Sequence, residues 1–292
     1  MNLVAKAVDK IANPPRVSDP DRLRAVVSGK TVLVTGASYG LGEATARKLG
    51  AAGATVLLVA RSAARLSALA ASINAGGGRA AAYPADLTDP TAVAALAKGL
   101  TENHGPMDVV VSNAGKSIRR SLHLQYDRPQ DFERTIGVNY LGPVRLLLGL
   151  LPAMRGRGRG HIVSISTIGV RTAPGPRWGT YLASKSAFDV WLRSVEPELR
   201  ADGVHVTSVY MTLVHTPMSD PTPILRRMPG LSAEQAADIV AKAIIDRPGR
   251  VQPWWVWPIE ISSILLPGPL GVGMGLMYRF STDSPSARGI QQ

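Results

Sequence analysis

Residues 31–42 read TVLVTGASYGLG, a run of β-forming residues that ends in a glycine-rich turn. Residues 43–52 are rich in Ala and Leu and predict a helix directly after the turn. Glycine lets the backbone turn tightly and come close to a ligand. The helix N-terminus offers free N–H groups and a partial positive charge, which suit a pyrophosphate. The stretch therefore predicts a strand–turn–helix unit that binds a dinucleotide.

Further β-rich runs follow at 55–59, 80–83, 107–111, 161–165 and 204–209, separated by helical stretches such as 90–100. Several runs are apolar throughout, as is typical of strands covered on both faces. This order predicts an α/β fold with a Rossmann-type, doubly wound parallel sheet and helices on both sides. No period of 20–50 residues repeats, which excludes solenoid architectures.

The chain is expected to form a single domain with N- and C-terminal extensions. Residues 1–29 form the N-terminal extension, in which Pro14, Pro15 and Pro20 are expected to break any helix. Residues 30–252 form the Rossmann-type domain, including a substrate lid after Met218. Residues 253–292 form an apolar tail, and its last stretch, 281–292, is expected to be mobile.

The tail carries three tryptophans and no charged residue from 261 to 278. Its prolines and glycines disfavour one straight helix. Three alternatives stay open: a tail packed on its own domain or on a neighbouring subunit, an interfacial segment with tryptophans at headgroup level, and a membrane span.

The amino-acid composition excludes several kinds of site and partner. The 292 residues carry a formal net charge of +12 and no cysteine, which excludes disulfides and cysteine-ligated metal. The charge fits either an anionic partner or a solubilising surface. No run of five basic residues occurs and aromatic residues make up 5%, so nucleic acid is not an expected partner. The histidines show no metal-ligand spacing, and the first residues do not predict a signal peptide.

The second β-run ends at Arg61. In dinucleotide folds this strand end meets the adenosine ribose, where an acid binds the 2′-hydroxyl of NAD and an arginine suits the 2′-phosphate of NADP. Arg61 therefore favours NADP(H) over NAD(H), the alternative being a solvated surface arginine. Asp86, just after the third run, is expected near the adenine edge or as an ordinary capping acid.

Tyr181 and Lys185 are spaced i and i+4, so they share one face of a helix. A nearby cation favours phenolate and lowers the pKa of a tyrosine. The pair follows Ser166 and Thr167, which end an apolar strand, and ligands of parallel sheets bind at such ends. This arrangement predicts acid–base chemistry.

Together the glycine turn, Asp86, the Asn113-Ala114-Gly115 segment, Asn139, the strand-end hydroxyls and the Tyr181/Lys185 pair resemble the short-chain dehydrogenase/reductase family over about 30–217. The resemblance implies that Tyr181 is the general acid/base, and that Lys185 binds the nicotinamide ribose and lowers the Tyr181 pKa. It also implies that Asn139 holds a relay water. The implied cofactor-binding residues are Gly36, Ser38, Tyr39, Gly40, Leu41, Gly42, Arg61, Asp86, Leu87, Asn113, Ala114, Gly115, Tyr181, Lys185, Val214 and Thr216.

Two departures leave questions open. The family's usual Ser-Ser pair is Ser166-Thr167 here, so either hydroxyl is a candidate to bind the substrate oxygen. The loop after the sixth run lacks the usual Pro-Gly, although Val214 and Thr216 still match positions that contact the nicotinamide.

A looser resemblance is to the reductase domain of bacterial fatty acyl-CoA reductases. It implies hydride transfer to or from a carbonyl or alcohol of a lipid-like substrate, such as a fatty acyl or aldehyde compound. The alternative is a catalytically weak member that serves as a membrane-associated binding or scaffold protein. By analogy the protein is expected to be cytoplasmic, a homodimer or homotetramer, with peripheral membrane contact through 253–280. The substrate itself and the physiological direction stay open.

Overall fold

A computed structural model describes residues 12–17, 19–172, 174–284 and 286–289. Seven strands occur in the described residues: β1 (Thr31–Thr35), β2 (Thr55–Ala60), β3 (Arg79–Pro84), β4 (Val109–Ser112), β5 (Gly160–Thr167), β6 (Val204–Met211) and β7 (Arg250–Val251). They form one sheet in the order β3-β2-β1-β4-β5-β6-β7, and every pairing is parallel. The order reverses between β1 and β4, which places a crevice at their carboxyl ends.

The described part of the chain also contains eleven α-helices. They are α1 (Pro20–Val27), α2 (Gly40–Ala51), α3 (Ala63–Ala75), α4 (Pro90–His104), α5 (Pro129–Ile136), α6 (Gly142–Gly156), α7 (Gly179–Ala201), α8 (Pro223–Arg227), α9 (Ala233–Asp246), α10 (Val256–Leu265) and α11 (Pro267–Phe280). A π-helical segment, Gly137–Leu141, joins α5 to α6. The helices predicted at 43–52 and 90–100 correspond to α2 and α4.

Apolar residues cover the sheet on both faces. On β1, Val32 and Val34 face a layer that includes α2, α3 and α9, whereas Leu33 faces a layer that includes α4, α6 and α7. Because successive side chains of a strand point to opposite faces, a strand buried on both sides must be apolar at every position. The doubly wound parallel sheet predicted from these runs is confirmed.

The N-terminal segment differs from the expectation. Residues 20–27 form α1, although prolines were expected to break any helix there. Pro20 occupies the first turn, where its missing N–H is not needed, and the Asp19 side chain caps the helix. Leu23 and Val27 are buried in the core. The boundary between 29 and 30 stays a prediction, and residues 1–11 and 18 lie outside the described residues.

The C-terminal tail forms a bent pair of helices. An angle of 111° separates α10 from α11, in agreement with the expectation that no single straight helix forms. After α11 the chain packs on the domain: Asp283, Ser284 and Ala287 are all buried. The expected mobility is therefore wrong for the described part of 281–292, because this segment makes the ion pair and hydrogen bonds given below.

Two segments of the described residues are long and apolar enough to be considered as membrane spans. One is the continuous helical run Pro129–Gly156, whose Leu146, Leu147 and Leu150 are buried in the core. The other is the bent pair α10–α11. The first is accounted for as a core helix, and the second has most of its large apolar side chains exposed.

Candidate active site

A cleft of about 1160 Å³ lies at the carboxyl ends of the strands. It is lined by every cofactor-binding and catalytic residue named from the sequence except Asn139. Parallel strands bring their ends to one edge, so motifs far apart in the chain converge there. The cleft extends from the glycine-rich turn to Met274 and Met277 of α11.

The glycine-rich turn is held tightly against β4. The Thr35 hydroxyl accepts the backbone N–H groups of Asn113 and Ala114, both at 3.0 Å. The Asn113 amide donates to the carbonyls of Thr35 and Gly36 at 3.0 and 3.3 Å. Gly36 has φ +68°, and a Cβ at Gly42 would lie 2.1 Å from the Gly36 carbonyl oxygen. Glycine is therefore required here by close packing.

This turn fits the diphosphate of a dinucleotide. Helix α2 begins at Gly40, and the preceding Tyr39 makes no side-chain capping bond to it. The first N–H groups of the helix thus lack the usual capping acceptor and lie at the cleft, where an anion can accept their hydrogen bonds. Thr216 lies close by, because a Cβ on Gly40 would be 3.0 Å from its methyl group.

The end of the cleft next to β2 and β3 has two exposed arginines. Arg61 follows β2, and Arg65, on the first turn of α3, lies with its guanidinium 5.9 Å from the Tyr39 ring centroid. Asp86 also lines the cleft, but its carboxylate accepts the backbone N–H and the hydroxyl of Thr88, at 2.9 and 2.8 Å. That bond pattern is an ordinary Asx turn, so Asp86 shapes the loop whether or not it meets an adenine.

The two strand-end hydroxyls differ in their surroundings. Thr167 is hydrogen-bonded to the Tyr181 hydroxyl and accepts the N–H of Gly169 at 3.3 Å. The Ser166 hydroxyl is buried without a hydrogen-bond partner. Neighbouring residues of a strand point to opposite faces, so only one of the two hydroxyls sits against the tyrosine. The geometry favours Thr167 as the hydroxyl that acts with Tyr181.

Desolvation is the largest influence on the pKa values of Tyr181 and Lys185. Desolvation raises the pKa of Tyr181 to about 12, and the Thr167 hydrogen bond only partly opposes this. The Lys185 ammonium donates to the Ile165 carbonyl at 3.0 Å, and its pKa is lowered to about 8 by desolvation. Desolvation is the larger effect on the Tyr181 pKa in this structure, and the lowering of that pKa by Lys185 stays a prediction. Tyr181 holds its proton at neutral pH and is suited to donate it.

Asn139 lies behind the cleft wall on the π-helical segment. Its side chain accepts the N–H of Lys116 at 2.8 Å and donates to the Lys116 carbonyl at 2.9 Å and the Ser184 hydroxyl at 2.8 Å. Ser184 in turn donates to the Tyr181 carbonyl at 2.7 Å. The Asn139 side chain thus joins α7, the helix that carries Tyr181, to the loop after β4. The relay water stays a prediction.

The C-terminal segment closes one side of the cleft through residues that the sequence patterns did not indicate. Arg177, four residues before Tyr181, lies 3.4 Å from the Asp283 carboxylate and donates to the Ser281 carbonyl at 2.7 Å. Asp283 also accepts the N–H and hydroxyl of Ser121 at 2.8 and 2.6 Å. These groups are buried, so the loops on both sides of the cleft are tied to the tail.

A second ion pair fixes the other helix of the tail. Arg171, just after β5, donates to Glu260 of α10. The Arg171 guanidinium also lies 5.4 Å from the Tyr210 ring centroid, and Tyr210 donates to Asp189 at 2.7 Å. Residues 89 apart in the chain meet here, which no local sequence pattern could indicate.

This cleft, with its glycine-rich turn and an acid–base pair, defines a nucleotide-dependent oxidoreductase. The family model described as short chain dehydrogenase matches residues 30–224, and the chain belongs to the short-chain dehydrogenase/reductase family. It is accordingly an NAD(P)-dependent dehydrogenase/reductase, in a family that typically acts on small molecules and forms oligomers.

Three proteins illustrate how similar this chain is to known sequences and structures. A fatty acyl-CoA reductase of Acinetobacter baylyi is 41% identical over 269 residues, covering 92% of this chain and 91% of the relative. An uncharacterized oxidoreductase of Mycobacterium tuberculosis is 42% identical over 272 residues, covering 92% and 80%. The crystal structure of a metagenomic short-chain oxidoreductase in complex with NADP is 34% identical, with a TM-score of 0.68, covering 77% of this chain and 97% of that one.

The two pKa values predict how reduction depends on pH. We expect kcat/KM for carbonyl reduction to be level in mildly acidic solution and to fall as pH rises through about 8, where Lys185 loses its charge. Tyr181 keeps its proton up to about 12, so it does not contribute to this fall. Steady-state rates in overlapping buffers check this, since kcat/KM reports groups of the free enzyme. A rate that rises through pH 8 would contradict the assignment, and Lys185→Met should abolish the inflection.

Proposed function

We propose that this chain is an NADP(H)-preferring oxidoreductase that interconverts a carbonyl and an alcohol group of a lipid-like substrate, such as a fatty acyl or aldehyde compound. The observation that carries the proposal is the hydrogen-bonded pair of Thr167 and Tyr181, placed in the same cleft as the glycine-rich turn and Arg61. The pair supplies the acid–base chemistry, and the turn with Arg61 supplies the site for a phosphorylated dinucleotide.

When bound, the nicotinamide supplies or accepts a hydride. In reduction, Tyr181 donates its hydroxyl proton to the carbonyl oxygen, and Thr167 donates a hydrogen bond to the same oxygen. In oxidation, the phenolate takes the proton back from the alcohol. Lys185 binds the ribose and holds a positive charge next to the site, which stabilises the phenolate left after proton transfer.

An apolar substrate tail is supported by the far end of the cleft. Met218 and Leu225 on one side and Met274 and Met277 of α11 line it. Flexible methionine side chains adapt to apolar chains of different shape. The relatives named fatty acyl-CoA reductase are 41% identical to this chain. These two observations together support the proposed lipid-like substrate class.

The outer face of α10–α11 supports peripheral membrane contact by a cytoplasmic enzyme. Trp254 and Trp257 are 64% and 50% exposed, and Phe280 is 87% exposed. The single acid in 253–280, Glu260, is turned inward to Arg171. The exposed face is therefore apolar without negative charge, which suits the interface of an anionic bilayer. A homodimer or homotetramer remains the expected assembly.

The cofactor preference is tested by Arg61→Asp. We expect this variant to weaken NADPH binding by on the order of a hundredfold while NADH binding changes by about threefold or less, because only NADPH carries the phosphate that Arg61 would pair with. Quenching of protein fluorescence on titration measures both affinities. Arg159→Asp is the control: it makes the same charge change at the amino end of β5, away from the cleft. Equal weakening for both cofactors would overturn the preference.

Membrane contact is tested by flotation with vesicles of phosphatidylcholine and phosphatidylglycerol. We expect the full chain to float and Trp254→Ser/Trp257→Ser to lose most of that binding, because each tryptophan contributes buried apolar area at the interface. The control, Leu122→Ser/Tyr126→Ser, removes two exposed apolar side chains outside the tail. Equal flotation of the tryptophan variant and the full chain would remove the proposal.

A further inference from the structure

A narrow gap separates α11 from the loop between β5 and α7. A Cβ placed on Gly175 would lie 3.5 Å from the Met277 Cε and 3.5 Å from the Trp178 Cδ1. Apart from the chain neighbours of Gly175, no other heavy atom of the described residues lies within 4 Å of that point. Carbon atoms attract each other best at about 3.5–4.0 Å. The gap bounded by Gly175, Trp178 and Met277, which we call the Gly175 slot, is therefore as wide as one hydrocarbon chain.

The Gly175 slot adjoins the reacting centre. All three of its residues line the same cleft as Tyr181. The rings of Trp178 and Tyr181 are tilted by 60° with centroids 5.8 Å apart, so one indole contacts both the catalytic tyrosine and the slot. Met274 of α11 continues the apolar lining. A chain attached to a carbonyl at Tyr181 can therefore run past the Trp178 ring into the slot.

The width of the slot is fixed by contacts one residue away from it. Arg177 directly precedes Trp178, and Tyr278 directly follows Met277. The Arg177 guanidinium lies 4.4 Å from the Tyr278 ring centroid and 3.4 Å from the buried Asp283 carboxylate. Widening the slot would break this cation–π contact and this buried ion pair, and loss of one partner of a buried ion pair is strongly destabilising.

The loop side of the slot is stiff, and what Gly175 contributes there is space. It lies between Pro174 and Pro176, whose rings fix their own φ angles. The φ of Gly175 is outside the left-handed region, so the backbone does not itself require glycine at this position. The absent side chain leaves the point at which a substrate carbon would contact Trp178 and Met277 together.

We propose that the Gly175 slot selects unbranched alkyl chains, so that the substrate is a linear aldehyde, acyl compound or alcohol and not a methyl-branched one. This proposal rests on the lipid-like substrate class proposed above. A methylene in the slot contacts both walls, and each buried methylene contributes about fourfold to kcat/KM. A methyl branch finds no room beside that methylene, because overpacking forces side chains from their preferred positions.

The test compares propanal, dodecanal and 3,7,11-trimethyldodecanal as substrates with NADPH. The methyl branches of the last compound recur along the chain, so one falls at or near the slot in any register. We expect the unmodified protein to favour dodecanal over the branched aldehyde by about tenfold in kcat/KM. Gly175→Ala fills the slot with its own methyl group and should lower the dodecanal-to-propanal ratio by about tenfold. Met277→Ala removes one wall and should reduce the linear-to-branched ratio to about twofold.

Two matched controls accompany these variants. Gly179→Ala adds a methyl group where a Cβ meets nothing within 4 Å, outside the residues that line the cleft. Leu276→Ala removes the exposed neighbour of Met277, which also lies outside that lining. Both should keep the unmodified ratios. Thermal unfolding without ligand checks that each variant is folded, and the rise in Tm with dodecanol measures binding without turnover.

The outcomes separate the slot from the proposed function. If the unmodified protein neither favours dodecanal over propanal nor gains Tm with dodecanol, the lipid-like substrate class fails, and selection by the slot fails with it. If dodecanal is favoured over propanal but the linear and branched aldehydes react equally well, only the slot is overturned. A folded Gly175→Ala variant with the dodecanal-to-propanal ratio of the unmodified protein would overturn it as well.

Discussion

The buried side chain of Asn139 connects the three parts of the site. Its three hydrogen bonds fix the backbone of Lys116 on the loop after β4 and the Ser184 hydroxyl on α7. A polar group that is 1% exposed must be fully bonded to avoid a large desolvation cost. The position of the loop after β4 relative to α7, the helix that carries Tyr181, therefore depends on this one amide. Asn139 is placed behind the cleft by the π-helical segment. Such segments are rare overall but occur often at functional sites.

The most local features of the chain were predictable from the sequence. A strand buried on both faces must be apolar throughout, so β1, β2 and β4 could be recognised in the sequence as apolar runs. The turn at Gly36 could be recognised because glycine is the residue that a tight backbone turn favours. The i, i+4 spacing of Tyr181 and Lys185 needs only a helix. Pro20 was misjudged because a proline interrupts the interior of a helix but is tolerated in its first turn.

Features that depend on distant pairs were not predictable. The Ser121–Asp283 bonds join residues 162 apart, and no period or motif relates them. The raised pKa of Tyr181 could not be predicted for a related reason: the spacing to Lys185 is local, whereas desolvation depends on everything packed around the hydroxyl. A tyrosine that keeps its proton at neutral pH is a proton donor in the free enzyme, and its phenolate forms only in the course of the reaction.

The account is tested most directly by comparing the two strand-end hydroxyls in carbonyl reduction with NADPH. Thr167→Val keeps the shape of the side chain and removes its donor, and we expect kcat to fall by on the order of a hundredfold, as for the loss of one oxyanion donor. Ser166→Ala removes a buried hydroxyl that has no partner, and we expect kcat to change by about twofold or less. The opposite result, with Ser166→Ala inactive and Thr167→Val active, would contradict the assignment of Thr167 and Tyr181 as the groups that share the substrate oxygen.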